Sequence, residues 1–141
     1  MKRFLAVLLS VLFVCGISYA EEAGSGIRVG DYIRFGRYEQ DNVFDNGPEE
    51  IEWLVVEAEE EYCCLVSKYI LDVKPYHDKM EDVNWETCWL RNWLNEEFIQ
   101  TAFSAEEQKL IPVTHAALKI YGKPDYYTDD KIYLLSYDRE N

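Results

Sequence analysis

Apolar and polar side chains alternate along three short segments between residues 31 and 71. In "GDYIRFGRYEQ", Ile33 and Phe35 alternate with Tyr32 and Arg34, which is the two-residue period of a strand with one buried face. The segment "IEWLVVEA" carries apolar side chains on both faces, as a central strand does. A short acidic linker separates it from "YCCLVS", so we expect these two strands to form a hairpin. The pattern predicts an antiparallel sheet.

The period changes to that of a helix after Cys88. Four large apolar side chains recur at helical spacing, namely Leu90, Trp93, Leu94 and Phe98. A stripe of this kind packs against a sheet, so we predict an amphipathic helix near residues 88–100. Thr87 or Cys88 can cap its start.

A second, shorter helix is predicted near residues 104–111. Ser104 and Glu107 have the spacing of a capping box, and Pro112 ends the helix. Residues 112–130 show little periodicity and are predicted to form a long loop, whereas residues 131–136 regain the alternation of a strand. The sequence therefore predicts an α+β fold, in which a small antiparallel sheet packs with one main helix and one short helix.

Eight residues are assigned structural roles: Trp53, Trp85, Leu90, Arg91, Trp93, Leu94, Asn95 and Phe98. Arg91 and Asn95 stand four apart, at the edge of the apolar stripe. We expect Arg91 to bond a carboxylate or a carbonyl, and Asn95 to bond a neighbouring loop, because polar groups at a buried edge need partners. Contact with a ligand is the alternative role.

The first twenty residues have the pattern of a secretory signal peptide. Lys2 and Arg3 precede an apolar run, and Ser18 and Ala20 supply the small residues of a cleavage site. We predict cleavage after Ala20, a flexible lead over residues 21–27 and one domain over residues 28–141. The mature chain is then expected to be extracytoplasmic and to have no membrane span.

The chain is acidic, with 27 Asp and Glu residues against 14 Lys and Arg and a formal net charge of −13. Such a surface repels phosphate backbones, which argues against nucleic acid as a partner. No metal or cofactor is expected, because the sequence has neither a zinc-ligand spacing nor a glycine loop for phosphates. The oxygen-rich residues from Asp41 to Gly47 are interpreted as a turn rather than as the alternative, a calcium site, because they do not have the ligand spacing of an EF-hand loop.

Three cysteines remain after the predicted cleavage: Cys63, Cys64 and Cys88. Adjacent strand residues point to opposite faces, so only one of Cys63 and Cys64 could pair with Cys88. The alternative is that all three are small buried side chains.

The chemistry that remains favours binding over catalysis. The candidate ligand-binding residues are the aromatic side chains expected at the surface: Trp89, Tyr121, Tyr126 and Tyr127. The sequence predicts an exported, non-catalytic recognition or scaffold module, with a glycan or an envelope protein as candidate partner. The alternative is a fragment of an extracellular hydrolase or modifying enzyme that uses carboxylates or Cys88.

Four ordered motifs resemble those of a bacterial family known as a domain of unknown function. They are Gly36-Tyr38-Gln40-Asp41, Ile51-Trp53-Val55, Leu90-Arg91-Trp93-Leu94-Asn95 and Ala102-Phe103-Ser104-Glu107. The resemblance implies an exported or envelope protein of anaerobic bacteria, without an assigned activity and with a loosely C-type-lectin-like fold. It covers the first half of the family pattern, since the later Trp-Leu-Arg-Ser-Pro-Gly and Gly-Val-Arg-Pro motifs do not occur here. We therefore expect a C-terminally truncated module.

Overall fold

The computed structural model describes residues 6–8, 12–15, 26–60, 62–118 and 126–134. The strands are β1 (Ala6–Leu8), β2 (Leu12–Cys15), β3 (Tyr32–Tyr38), β4 (Glu49–Ala58), β5 (Cys63–Ser67), β6 (Val73–Pro75), β7 (Thr114–Leu118), β8 (Tyr126–Asp130) and β9 (Tyr133–Leu134). The helices are α1 (Trp89–Trp93), a π-helical segment (Leu94–Phe98), α2 (Ile99–Ala102) and α3 (Ala105–Leu110). We call the continuous run 89–102 the main helix.

Strands β3, β4 and β5 form the predicted antiparallel sheet, with β4 in the centre. Ile51, Trp53 and Val55 point from β4 into the core and are fully buried. The main helix supplies the other side of this core with Leu90, Leu94 and Phe98. The predicted α+β fold is confirmed.

Gly36 lets the main helix end against β3. It lies at an irregularity of the β3–β4 register and has a φ of +73°. A Cβ here would come within 2.6 Å of the Phe103 ring and 2.7 Å of the Ala102 carbonyl oxygen, so only glycine fits both the backbone angle and the space.

Both predicted helices are present, and each begins at a capped residue. The Cys88 side chain accepts the amide of Arg91, and Ser104 and Glu107 form the predicted capping box. Glu107 also accepts the amide of Gly36 at 3.0 Å, which attaches α3 to the sheet. In the π-helical segment the amide of Ile99 donates to the Leu94 carbonyl, five residues earlier.

The prediction of one long loop over residues 112–130 was wrong. β7 and β8 pair as an antiparallel ribbon, from Thr114 opposite Asp130 to Leu118 opposite Tyr126. The sequences "THAAL" and "YYTDD" lack the large apolar alternation of a core strand, so the hydrophobic pattern does not reveal their pairing. Of the strand predicted over 131–136, β9 contains Tyr133–Leu134, residues 131 and 132 form a bend before it, and residues 135 and 136 lie outside the described part of the chain.

Strands β1 and β2 lie within the twenty residues predicted to be removed. β2 pairs with β5 and with β9, which gives the order β3-β4-β5-β2-β9. Cleavage after Ala20 would take β2 out of this sheet. Among the described residues, no helix is both long and apolar enough to cross a membrane.

The cysteines differ from the expected alternatives. Cys64 is disulfide-bonded and lies opposite Cys15 in the β2–β5 register, whereas Cys63 and Cys88 are free and buried. Cys88 therefore forms no disulfide bond with Cys63 or Cys64. Cys88 packs in the core and caps α1 instead.

Candidate functional site

Two depressions lie side by side where the β3–β4 turn meets the chain after β5. The larger, of about 610 Å³, is bounded on one side by Glu49 and Glu50 and on the other by Tyr69. The smaller, of about 410 Å³, lies between Phe44 and Val73. Gln40 and Ile70 line both depressions. We call this pair the tip groove.

The turn that forms one wall is held by its own polar side chains. Asp41 accepts the amide of Val43 at 2.7 Å and the amide group of Asn46 at 3.0 Å. Asn42 takes a left-handed conformation with φ 60°, and Gly47 one with φ 76°, conformations that Asn and Gly tolerate best. The interpretation of this stretch as a turn is supported by these bonds.

The opposite wall is fastened to β3 at the floor of the groove. The Tyr38 hydroxyl donates to Asp72 at 2.6 Å across 34 residues, and Lys74 lies 2.9 Å from the same carboxylate. Burial alone would raise the pKa of Asp72, but the hydrogen bonds from Tyr38, Lys74 and the Val73 amide lower it. Asp72 is therefore ionised at neutral pH and fixes this wall.

Large apolar side chains stand exposed along the groove. Phe44 is 78% exposed, and Tyr69, Ile70 and Val73 are each about half exposed. Val43 beside Phe44 is also half exposed. Apolar side chains gathered beside a concave surface are typical of a contact site rather than of scattered surface residues.

One end of the groove is ordered by Lys68. Its ammonium group lies 2.8 Å from Glu52 and 4.9 Å from the ring centroids of both Tyr32 and Tyr69. The hydrogen bond to Glu52 raises the pKa of Lys68, so this lysine is charged at neutral pH. A cation between two rings restrains both, which positions Tyr69 at the groove edge.

Three acidic side chains lie close together at the turn. Glu39, Asp41 and Glu49 each place one oxygen within 4.8 Å of the other two. In the part of the chain that the structure describes, none of the three has a Lys, Arg or His within ion-pair distance. Their hydrogen bonds go to the turn itself, as with Glu49 and the Gln40 amide at 2.8 Å.

Two of the four aromatic residues predicted to bind a ligand, Trp89 and Tyr127, lie away from the tip groove. Trp89 is half-buried and stacks on Trp93 with ring centroids 6.0 Å apart. Tyr127 is exposed on β8 and stacks on His115 at 4.9 Å with nearly parallel rings. Tyr126 belongs to β8, but its side chain and the whole of Tyr121 lie outside the described part. Their role in binding stays a prediction.

The residues assigned structural roles are placed in or beside the core. The apolar ones are nearly or fully buried: Trp53, Trp85, Leu90, Trp93, Leu94 and Phe98. Asn95 accepts the amides of Lys131 and Ile132 and donates to the Ile132 carbonyl at 2.9 Å. Arg91 donates to Asp130 and to the Asp129 carbonyl. The main helix is thereby joined to the end of β8 and the start of β9.

Cys88 and the two histidines do not form a nucleophilic pair. Burial raises the pKa of the Cys88 thiol, which disfavours the reactive thiolate. His77 lies nearby in the fold, but its ring accepts the Trp89 amide at 3.1 Å and faces Glu81 at 2.9 Å. His115 pairs with Asp129 at 2.7 Å on the ribbon.

A comparison with family models adds the last observation. The family described as "Domain of unknown function (DUF6273)" matches residues 60–139. The chain belongs to this family. No curated protein and no solved structure matches it, so the lectin-like likeness stays a prediction.

The DUF6273 match includes the main helix and the ribbon but begins after β4. The motifs at Leu90–Asn95 and Ala102–Glu107 lie inside the matched residues, whereas those at Gly36 and Ile51 precede them. The tip groove lies across this boundary, with its turn before the match and Tyr69 to Val73 within it.

One local signal for this groove is present in the sequence. Val43 and Phe44 are two large apolar residues in an otherwise polar turn, where they have no core to enter. Ile70, which lines the same depression as Phe44, comes from a segment that only the fold brings close.

Proposed function

We propose that this DUF6273 protein is an exported, non-catalytic recognition module of the bacterial cell envelope, and that its ligand binds the tip groove. The observation that carries the proposal is the exposure of Phe44, Tyr69, Ile70 and Val73 around two adjoining depressions. Exposed apolar groups lose contact with water when a partner covers them, which favours binding.

The geometry of the groove supports binding by a preformed surface. Its turn is fixed by Asp41, its floor by the bond between Tyr38 and Asp72, and its far end by Lys68. A site that is already ordered loses less conformational entropy when a ligand binds. The burial of Cys88 supports the non-catalytic part of the proposal, because a fully buried thiol offers no access to a substrate.

The export part of the proposal is supported by the pattern of residues 1–20. A basic start, an apolar run and small residues before the predicted cleavage site are typical of secreted proteins. N-terminal sequencing of the protein recovered from the medium or envelope of an expressing bacterium should begin at Glu21. A start at Met1 in the cytoplasmic fraction would contradict export.

Binding is tested with the purified chain on a glycan array and by thermal shift with cell-wall fragments and peptides. Phe44→Ser with Tyr69→Ala should abolish any binding found, since both side chains border the groove. Met80→Ser is the matched control, because Met80 is 65% exposed and does not line the groove.

Two further variants separate this proposal from its competitors. Loss of binding with Tyr126→Ala and Tyr127→Ala, but not with the groove variant, would move the site to the ribbon. If the protein turns over a cell-wall fragment and Cys88→Ser abolishes that turnover, the alternative that the chain is part of an enzyme would be supported.

A further inference from the structure

We infer that the partner of the tip groove is a basic polypeptide segment in which Lys or Arg side chains stand beside apolar ones. This inference rests on the proposed function and names the class of ligand for the same site.

The lining of the groove is predominantly acidic. Six carboxylates line the two depressions: Glu39, Asp41, Glu49, Glu50, Glu52 and Asp72. Arg34 is the basic lining residue; it lies 3.4 Å from Glu50 and 3.9 Å from Glu52. Because its side chain is largely exposed, this pairing is weak. The excess negative charge at the turn attracts a cation.

The hydrogen-bonding groups of the groove are suited to a donor. The Gln40 side-chain amide already donates to the Tyr38 and Glu50 carbonyls, both at 3.3 Å. The carboxylate oxygens of Glu39, Asp41 and Glu49 at the turn accept hydrogen bonds. The Val43 amide bond to Asp41 lowers the pKa of that carboxyl, so it is ionised. Ammonium and guanidinium groups supply N–H donors together with the complementary charge.

The apolar part of the groove matches the remainder of such a side chain. Lys and Arg lay their methylene stems along apolar surface while the charged end remains at polar groups. Phe44 and Ile70 stand beside the acidic turn and offer that surface. Two of the four exposed apolar residues, Ile70 and Val73, are aliphatic. Their aliphatic surface can pack against the apolar side chains of a peptide.

The charge of the chain argues against a second copy as the occupant. The net charge of −13 repels an identical molecule. A segment of opposite charge is attracted, and its association rate is expected to fall as salt rises.

The experiment uses a fluorescent Lys-Phe-Lys-Phe-Lys-Phe-Lys peptide and the full chain. Fluorescence anisotropy should show binding that weakens at least about tenfold in Kd between low and high salt. Glu39→Gln with Glu49→Gln should raise Kd about tenfold, since two attracting charges are lost. Glutamine keeps an oxygen for the turn bonds to Val43 and Gln40.

The matched control is Glu96→Gln with Glu97→Gln, which removes two charges from the exposed side of the main helix. It should change Kd less than twofold, and the melting temperature of both double variants should stay near that of the unchanged protein. An equal loss of binding in the control would overturn the inference, because net charge alone would then explain it.

Other outcomes distinguish this inference from the proposed function. A Gln-Phe peptide or a neutral glycan could bind as tightly as the Lys-Phe peptide and lose its binding with Phe44→Ser. That result would overturn the inference of a basic partner, while the proposal of a recognition module would still hold. Peptide binding that survives both Phe44→Ser and the Glu39 and Glu49 changes would overturn the groove as its site and the inference with it.

Discussion

Arg91 Nε lies 2.7 Å from a carboxylate oxygen of Asp130, across 39 residues of chain. The Asp130 side chain is 1% exposed and the Arg91 side chain 22%. Trp85 Nε1 and the Thr128 hydroxyl also donate to Asp130, at 2.9 Å and 2.6 Å. This carboxylate therefore joins the main helix, the turn before it and the ribbon.

Arg91→Ala should lower the free energy of unfolding by about 3 kcal/mol, because it leaves a buried carboxylate without its positive partner. Arg91→Lys should recover only part of this loss, since lysine cannot also donate to the Glu86 and Asp129 carbonyls in the same geometry. Urea denaturation measures both. Unchanged stability in Arg91→Ala with altered ligand binding would assign Arg91 to recognition instead.

The sheet and both helices could be predicted because their signals are local. Alternation at Ile33 and Phe35, the stripe from Leu90 to Phe98 and the capping box at Ser104 each lie within one element. The ribbon could not be predicted in this way. Its two strands pair through a backbone ladder, and β8 contacts the main helix through bonds such as that of Arg91 with the Asp129 carbonyl, 38 residues apart.

The candidate site could not be predicted from the sequence either, because it too is formed by residues that are distant in the chain. Its two walls come from residues 39–50 and 69–73, which have no common period. The hydrogen bond from Tyr38 to Asp72 joins the two walls. A tyrosine and an aspartate 34 residues apart give no pattern in the sequence that predicts this contact. Aromatic residues in a segment without periodicity are easier to recognise in the sequence, and for this reason Tyr126 and Tyr127 were predicted to bind a ligand.

Gly36→Ala should destabilise the protein by more than about 2 kcal/mol. A positive φ costs a non-glycine residue about 1 kcal/mol, and the Cβ would also overlap the Phe103 ring and the Ala102 carbonyl. Gly47→Ala is the control: its φ is +76°, yet nothing lies within 4 Å of the added Cβ. Equal losses in the two variants, by thermal or urea unfolding, would show that close packing at Gly36 has no energetic role.

Tyr133 should make the protein sensitive to alkali. Burial, with the nearby charges of Glu57 and Asp130, raises its pKa to about 12, whereas an unfolded tyrosine ionises near 10. The folded state thus holds this proton longer, so the contribution of Tyr133 to stability is complete below about pH 10 and is lost as pH rises towards 12.

Tyr133→Phe should flatten the fall of unfolding free energy between pH 9.5 and 11, measured by urea denaturation at each pH. Part of the slope should remain, because burial also raises the pKa of Tyr38 and Tyr76. Tyr127→Phe, at an exposed position, controls for the loss of one phenol. A slope that is identical in all three proteins would contradict the prediction.

The last prediction concerns hydrogen exchange at the two ends of 132–134. The amides compared are those of Ile132 and Leu134, which lie on either side of Tyr133. The structure gives them different partners: the Ile132 amide donates to Asn95 at 3.1 Å and its side chain is fully buried, whereas Leu134 lies opposite Leu12 of β2. Hydrogen exchange is measured on the full chain and on residues 21–141. The Ile132 amide should be protected in both, because Asn95 and the core are unchanged. The amides of β9 that depend on the β2 ladder should exchange faster once residues 1–20 are removed.

Asn95→Ala should speed the exchange of the Ile132 amide in both forms, which separates the effect of the side-chain bond from that of strand pairing. Equal protection of β9 with and without residues 1–20 would mean that β2 does not contribute to its stability, and fast exchange of Ile132 in the unchanged chain would contradict the role of Asn95.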